Sequence, residues 1–225
     1  MASQAPPAET NTKEECTRDR RAERREAMVP IAAKLFAEIG YAACEMERVA
    51  TELGVAKGTL YLYFASKEEL FCACVDHGMR SMQTQVAAAA ASTDEPFEKI
   101  SRAIRAYLQF FADHPEHVEL LIQERASFKH RPEPTYFQYR KAMRGPWRTM
   151  YSELMERGQL RSDLPVERLL DTIGCLVYGT MFTNHFAATS ATLDEQHRAI
   201  LEMIMRGMLS ESERQRWQFS PSDAT

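Results

Sequence analysis

Residues 49–67 read V-A-T-E-L-G-V-A-K-G-T-L-Y-L-Y-F-A-S-K, and this stretch decides the fold. Just ahead of and within it, Met46, Val49, Ala50 and Leu53 recur at i, i+3, i+4 and i+7, which places them on one face of a helix. Gly54 follows, where a helix ends in a left-handed residue. A second, shorter pattern sends Leu60 and Phe64 one way and Lys57, Tyr61 and Leu62 another. Ser66, with Glu69 three residues on, forms a capping box that opens a further helix. Helix, tight turn and short helix with an exposed Lys/Thr/Tyr face predict a helix-turn-helix.

Working outward, residues 1–17 are polar and proline-containing and read as a disordered tail. From Arg18 the pattern turns helical: Met28, Ile31, Ala32, Leu35, Phe36 and Ile39 share a face, and Gly40 closes it. Pro30 inside this pattern predicts a kink or a late helix start. Downstream, a long helix runs from Lys67 through the alanines 87–91. Phe97, Ile100, Ile104, Tyr107, Leu108 and Phe111 line the next, and Asp113-His114-Pro115 breaks the chain. The prolines of 129–134 mark a loop. Phe137, Arg140, Met143, Trp147, Met150, Tyr151 and Leu154 predict a long helix, bent at Gly145-Pro146 and ended by Gly158. Pro165 begins a strongly apolar helix, and Thr192 with Glu195 caps the last one. Nothing alternates with the period of a strand. The fold class is all-α, with about nine helices.

Composition bounds the function. Of 225 residues, 44% are hydrophobic, enough for a substantial core, and the net charge is −4. The chain as a whole is therefore not a basic nucleic-acid binder, but phosphate binding depends on local clusters. One such cluster is Arg18, Arg20, Arg21, Arg24 and Arg25. With Asp19, Glu23 and Glu26 interspersed, it reads equally as a solvated helix with internal ion pairs and as a phosphate-contacting segment. No apolar run reaches membrane-spanning length, and the N-terminus lacks the order of a secretory signal, so a cytoplasmic location is expected. Five scattered cysteines (Cys16, Cys44, Cys72, Cys74 and Cys175) suit reduced thiols.

The run L-F-A-E-I-G-Y (35–41) followed by M-x-x-V-A-x-x-L-G-V-A-K-G-T-L-Y-x-Y-F-x-S-K-E-E-L-F (46–71) resembles the N-terminal domain of TetR-family transcriptional regulators. It covers about a fifth of the chain; the remainder resembles the family in layout only. The resemblance implies four regions: the tail 1–17, a three-helix DNA-binding domain at 18–71, a ligand-binding and dimerisation domain at 72–209, and a polar tail at 210–225. It further implies that Lys57, Gly58 and Thr59 open the recognition helix, with Gly58 letting DNA come close. Tyr61 and Leu62 are then the base-edge or thymine-methyl contacts. Tyr63 and Lys67 become phosphate clamps, and Arg25 is expected to join the DNA face. Cys44 stands where the family often has a Thr that caps a helix and reaches phosphate, and Ala56 replaces a frequent Ser. Both departures remove a good cap.

Other clusters carry little chemistry. Cys72 and Cys74 lie about 200° apart on a helix, so with His77 they read as packing. His114, His117 and His130 have metal-like composition without a ligand spacing. No glycine-rich nucleotide loop, nucleophile elbow or H-E-x-x-H is present, so no catalytic residue, metal or cofactor is expected and an enzyme is disfavoured. A helical adaptor is the other class; it predicts no steep salt dependence of DNA affinity. In the larger domain, Tyr107, Phe111, Trp147, Met150, Tyr151, Tyr178 and Phe182 are the candidate effector-lining residues, with Glu124, Arg125 and His185 as possible polar partners. The final two helices, with Gly174 and Gly179, are the expected dimer interface. The expectation is a homodimeric, ligand-responsive repressor of a palindromic double-stranded operator.

Overall fold

The computed structural model describes residues 9–187 and 191–216, and every regular element among them is a helix. In order these are α1 (Glu9–Ile39), α2 (Met46–Glu52), α3 (Lys57–Tyr63), α4 (Lys67–Ala91) and α5 (Pro96–Asp113). There follow α6 (Pro115–Ser127), α7 (Thr135–Glu156), α8 (Val166–Phe186), α9 (Leu193–Met208) and α10 (Glu211–Arg216). The short α10 is one more helix than expected, in the segment read as a polar tail. Ser210 starts it by accepting the Glu213 amide at 3.4 Å. At the other end α1 takes in residues 9–17, assigned above to the tail. Glu9, Lys13, Glu14 and Glu15 are good helix formers. Residues 1–8 lie outside the described residues. The helix also runs through Pro30, which is exposed, so no late start occurs. α7 likewise continues through Pro146.

The chain divides into two compact units, Met1–His77 and Gly78–Thr225, six residues beyond the expected boundary. In the first unit, Ala32 and Phe36 of α1, Val49 of α2, Leu60 and Phe64 at α3, and Leu70 and Phe71 of α4 are essentially without solvent contact. Phe71 meets Phe36 edge-on at 5.3 Å and Tyr41 at 4.9 Å, arrangements favoured by ring quadrupoles. Gly40 and Gly54 end α1 and α2 with φ of +88° and +66°, conformations that carry a steric penalty for any residue with a Cβ.

In the second unit α5 is the centre. It buries Ile100, Ala103, Ile104, Tyr107, Leu108, Phe110 and Phe111 and packs on α6, α8 and α9, while α7 packs on α8. Each joint follows from local chemistry. Pro115 sits in the first turn of α6 after His114 leaves the helical region. Thr192 and Glu195 make both bonds of a capping box at α9. Glu124, 2% exposed, accepts the Thr135 amide, the Thr135 hydroxyl at 2.6 Å and the Arg131 guanidinium at 2.8 Å. It therefore pins the proline-rich loop and the start of α7, and is not a cavity residue. Arg125 is exposed.

Candidate DNA-reading face and effector cavity

The seven-residue α3 has one inward face and one outward. Leu60 and the following Phe64 are fully buried, whereas Tyr61 is 42% and Leu62 66% exposed. Burying Leu60 and Phe64 contributes about 1.5–3 kcal/mol each, so α3 is held by tertiary packing. Its own caps are poor: Ala56 and, at α2, Glu45 make no side-chain cap bond. Cys44 is not the α2 cap. Its thiol is fully buried, and burial raises its pKa, so it packs into the core and does not reach phosphate. A small apolar thiol gains more from the core than a surface hydroxyl would.

The C-terminal carbonyls of α3 are met from α1. Arg21 donates to the Leu62 carbonyl, and Arg25 Nε to the Tyr63 carbonyl at 3.4 Å. Arg25 also pairs with Glu69 at 3.1 Å and lies 4.5 Å from the Phe64 ring centroid. Cationic groups at a helix C-terminus offset its dipole and satisfy unpaired carbonyls. Part of the arginine cluster thus braces α3, a role beyond the two readings open to the sequence. Lys57 pairs with Glu47 of α2 and sits 6.0 Å from the Tyr61 ring. Their mutual hydrogen bond lowers the Glu47 pKa and raises that of Lys57. Lys67 donates to the Ala42 carbonyl at 3.3 Å and lies 4.8 Å over Tyr41. Gly58 is exposed, and a Cβ built there meets nothing within 4 Å. Thr59 and Tyr63 are half-buried, with the Arg21 guanidinium 5.9 Å from the Tyr63 ring. Ser66 caps α4 as expected, accepting the Glu69 amide at 3.0 Å, but the Glu69 carboxylate returns to Ala65, one residue before the cap.

The second unit holds a cavity of about 170 Å³ between α4, α5, α7 and α8. Of the expected effector-lining residues, Tyr107, Trp147 and Tyr151 stand in its wall. Phe111 faces a second cavity, beside His185, which also meets Glu119 at 3.3 Å. Met150, Tyr178 and Phe182 line neither. Tyr178 and Phe182 instead meet edge-on at 4.8 Å in an aromatic ladder behind the wall, Tyr178 lying 4.6 Å from the ring of Tyr136. The period of the sequence placed them on an apolar face without saying which neighbour covers it. The wall also contains Met82 and Val86 of α4, Ile100 and Ile104 of α5, Tyr136, Arg140 and Arg144 of α7, and Ile173 and Val177 of α8. Tyr107 and Tyr136 share a hydroxyl–hydroxyl hydrogen bond of 2.9 Å, and burial pushes the Tyr136 pKa up to about 12. Both remain neutral phenols. Arg140 had a visible signal, as an arginine inside an otherwise apolar helical stripe. Among the described residues, no group of three or more His, Cys, Asp or Glu stands ready for a metal. His114 and His117 pack on Phe110.

Comparison with known proteins finds matches for both parts of the chain. Residues 31–74 match the model of "Bacterial regulatory proteins, tetR family", and residues 93–178 match "Tetracyclin repressor-like, C-terminal domain". The uncharacterised HTH-type transcriptional regulator YerO of Bacillus subtilis is 31% identical over 104 residues, 45% of this chain and 36% of that protein. The HTH-type transcriptional repressor KstR2 of Mycobacterium tuberculosis is 30% identical over 149 residues, 64% of this chain and 72% of that protein. The solved structure of the ketosteroid transcriptional regulator KstR2 superposes with a TM-score of 0.62 at 23% identity, covering 84% of this chain and 96% of that one. The fatty acid degradation regulator FadR of Bacillus halodurans gives a TM-score of 0.69 at 16% identity, covering 80% and 94%.

Proposed function

The chain belongs to the TetR family of DNA-binding transcriptional regulators, a class of regulators and not of enzymes, and from that premise we propose that it is a homodimeric repressor released by a small hydrophobic effector. The observation that carries the DNA-reading half is the exposure of Tyr61 and Leu62 on a helix whose other face is buried. Large side chains exposed on a braced helix are suited to base edges and thymine methyls in a major groove. Lys57, Thr59, Tyr63 and Lys67 flank them as phosphate contacts, and Gly58 lets the groove approach. Arg25 acts by positioning α3. The candidate partner is a palindromic operator, read by the two α3 helices of a symmetric dimer. No helix among the described residues is long and apolar enough to cross a membrane, and we place the protein in the cytoplasm with its DNA.

The effector half rests on the apolar cavity. Two relatives are named for fatty acid and ketosteroid regulation, and a hydrophobic effector suits the wall found here. α4 supplies Met82 and Val86 to that wall and Lys67 to the DNA-reading unit, so it is the element a bound effector would act through. Release requires that the effector bind the DNA-free state more tightly than the bound one.

Selecting binding sites from random DNA and titrating the winner at several salt concentrations tests the reading. Tyr61→Ala is expected to lower affinity for the selected site by tenfold or more and leave random DNA unaffected. Lys67→Ala is expected to weaken both and to reduce the slope of log K against log salt by about 0.9, one phosphate contact. Intact affinity in both variants would overturn the assignment of α3.

A further inference from the structure

Of the residues lining the cavity, the charged ones are two, Arg140 and Arg144, one helical turn apart on α7. Both are partly exposed, at 24% and 30% of their side chains, so they stand between the apolar interior and water. They share a single carboxylate: Asp171 Oδ1 lies 2.6 Å from Arg144 Nη1 and 3.5 Å from Arg140 Nη2. The neighbouring Glu167 is matched by Arg148 at 2.7 Å. The rim therefore carries more cation than anion. The Arg140 guanidinium also lies directly over Gly174 of α8, where a Cβ would stand 2.5 Å from Nη2.

We propose that the cavity takes a small carboxylic acid, with its apolar body against Ile104, Tyr107, Trp147 and Val177 and its carboxylate on Arg140 and Arg144. This rests on reading the cavity as the effector site. Three observations set the class. The interior is hydrocarbon and aromatic surface, which excludes a sugar or a nucleotide base as the buried part. The size is that of about one ring with a short chain, since an apolar cavity of about 150 Å³ accommodates benzene. The head is a carboxylate because both guanidiniums already converge on one carboxylate oxygen, Asp171 Oδ1, and a guanidinium presents a planar fork of donors suited to that group. The Tyr107–Tyr136 hydroxyl pair adds a neutral polar point inside the same wall.

The test uses the full chain with Trp217→Phe, which leaves Trp147 as its single tryptophan and a reporter inside the cavity wall. Emission is followed on adding 4-phenylbutyrate or its neutral isostere 4-phenylbutyramide. The acid is expected to bind at least tenfold more tightly than the amide. Arg140→Met combined with Arg144→Met should reduce that preference to less than twofold while leaving the amide affinity in place. Asp171→Asn removes the competing internal carboxylate and should tighten the acid several-fold without changing the amide, a gain that no folding defect imitates. Equal binding of acid and amide to the unsubstituted arginines overturns the carboxylate proposal and leaves the cavity reading standing. A preference that survives the double substitution overturns the assignment of the two arginines. Silence of both probes at millimolar concentration overturns the cavity reading and the proposal with it.

Discussion

Gly58 illustrates how a single residue separates stability from function. It lies in the first turn of α3 with open space where a Cβ would go, so the fold itself does not require glycine there. Alanine should raise helix propensity by about 0.8–1 kcal/mol at an interior position and somewhat less here. We expect Gly58→Ala to melt no lower than the parent yet bind operator at least tenfold more weakly, as the methyl meets the DNA backbone. Unchanged operator affinity would remove Gly58 from the interface. The cysteines offer a second check. Cys74 is fully buried, bonds the Val29 carbonyl at 3.5 Å, and has its pKa raised strongly by burial. Cys44 is buried too, whereas Cys175 is exposed. Because the thiolate is the reacting form, iodoacetamide at pH 8 should modify Cys175 in the native protein and reach Cys44 and Cys74 only after denaturation. Rapid native labelling of Cys74 would contradict its placement in the core.

At the scale of elements, what matters is how neighbouring helices fix one another. Gly78 on α4 lies against the His117 ring of α6, where a Cβ would stand 2.3 Å from Nδ1 and 2.6 Å from Cγ. The ring is itself stacked on Phe110 at 5.6 Å and 11°. An added methyl cannot be absorbed by the far end of a flexible chain, so overpacking of about 1–3 kcal/mol is expected for Gly78→Ala. That corresponds to a fall in Tm of about 2–12 °C for a chain of this size, measurable by calorimetry. An unshifted Tm would show that α4 and α6 are not in this contact. The sequence marked Gly78 with nothing, since a glycine within a helix is read as a small local cost. Its partner is 39 positions away. By contrast the caps at Ser66 and Thr192 were legible, because both bonding residues lie within four positions of one another.

For the molecule as a whole, the apolar residues left exposed suggest how two copies meet. Leu176 is 38% exposed and Phe186 69% on α8, and Met203 is 72% exposed on α9, the two helices expected to form the dimer interface. Of the two glycines expected to allow close approach, Gly179 is exposed with open space around it. Gly174 is occupied by Arg140 from within the same chain. We therefore predict that Leu176→Arg combined with Met203→Arg halves the mass seen by light scattering and lowers operator affinity, because a palindrome then gains only one recognition helix per binding event. A variant that keeps the parental mass would move the interface elsewhere.

The sequence by itself determined the all-α class, the helix-turn-helix, its glycine turns and the inward Leu60 and Phe64, because each depends on periodicity or on chemistry within a few residues. The tertiary structure decided the rest. It put Arg21 and Arg25 on the end of α3, sank Cys44 into the core, and divided the predicted aromatics between two cavity walls and an edge-on ladder. It also gathered Arg140, Arg144, Asp171 and Gly174 at one rim. Those outcomes depend on which helix faces which, and a helical period specifies a buried face without naming the partner that buries it.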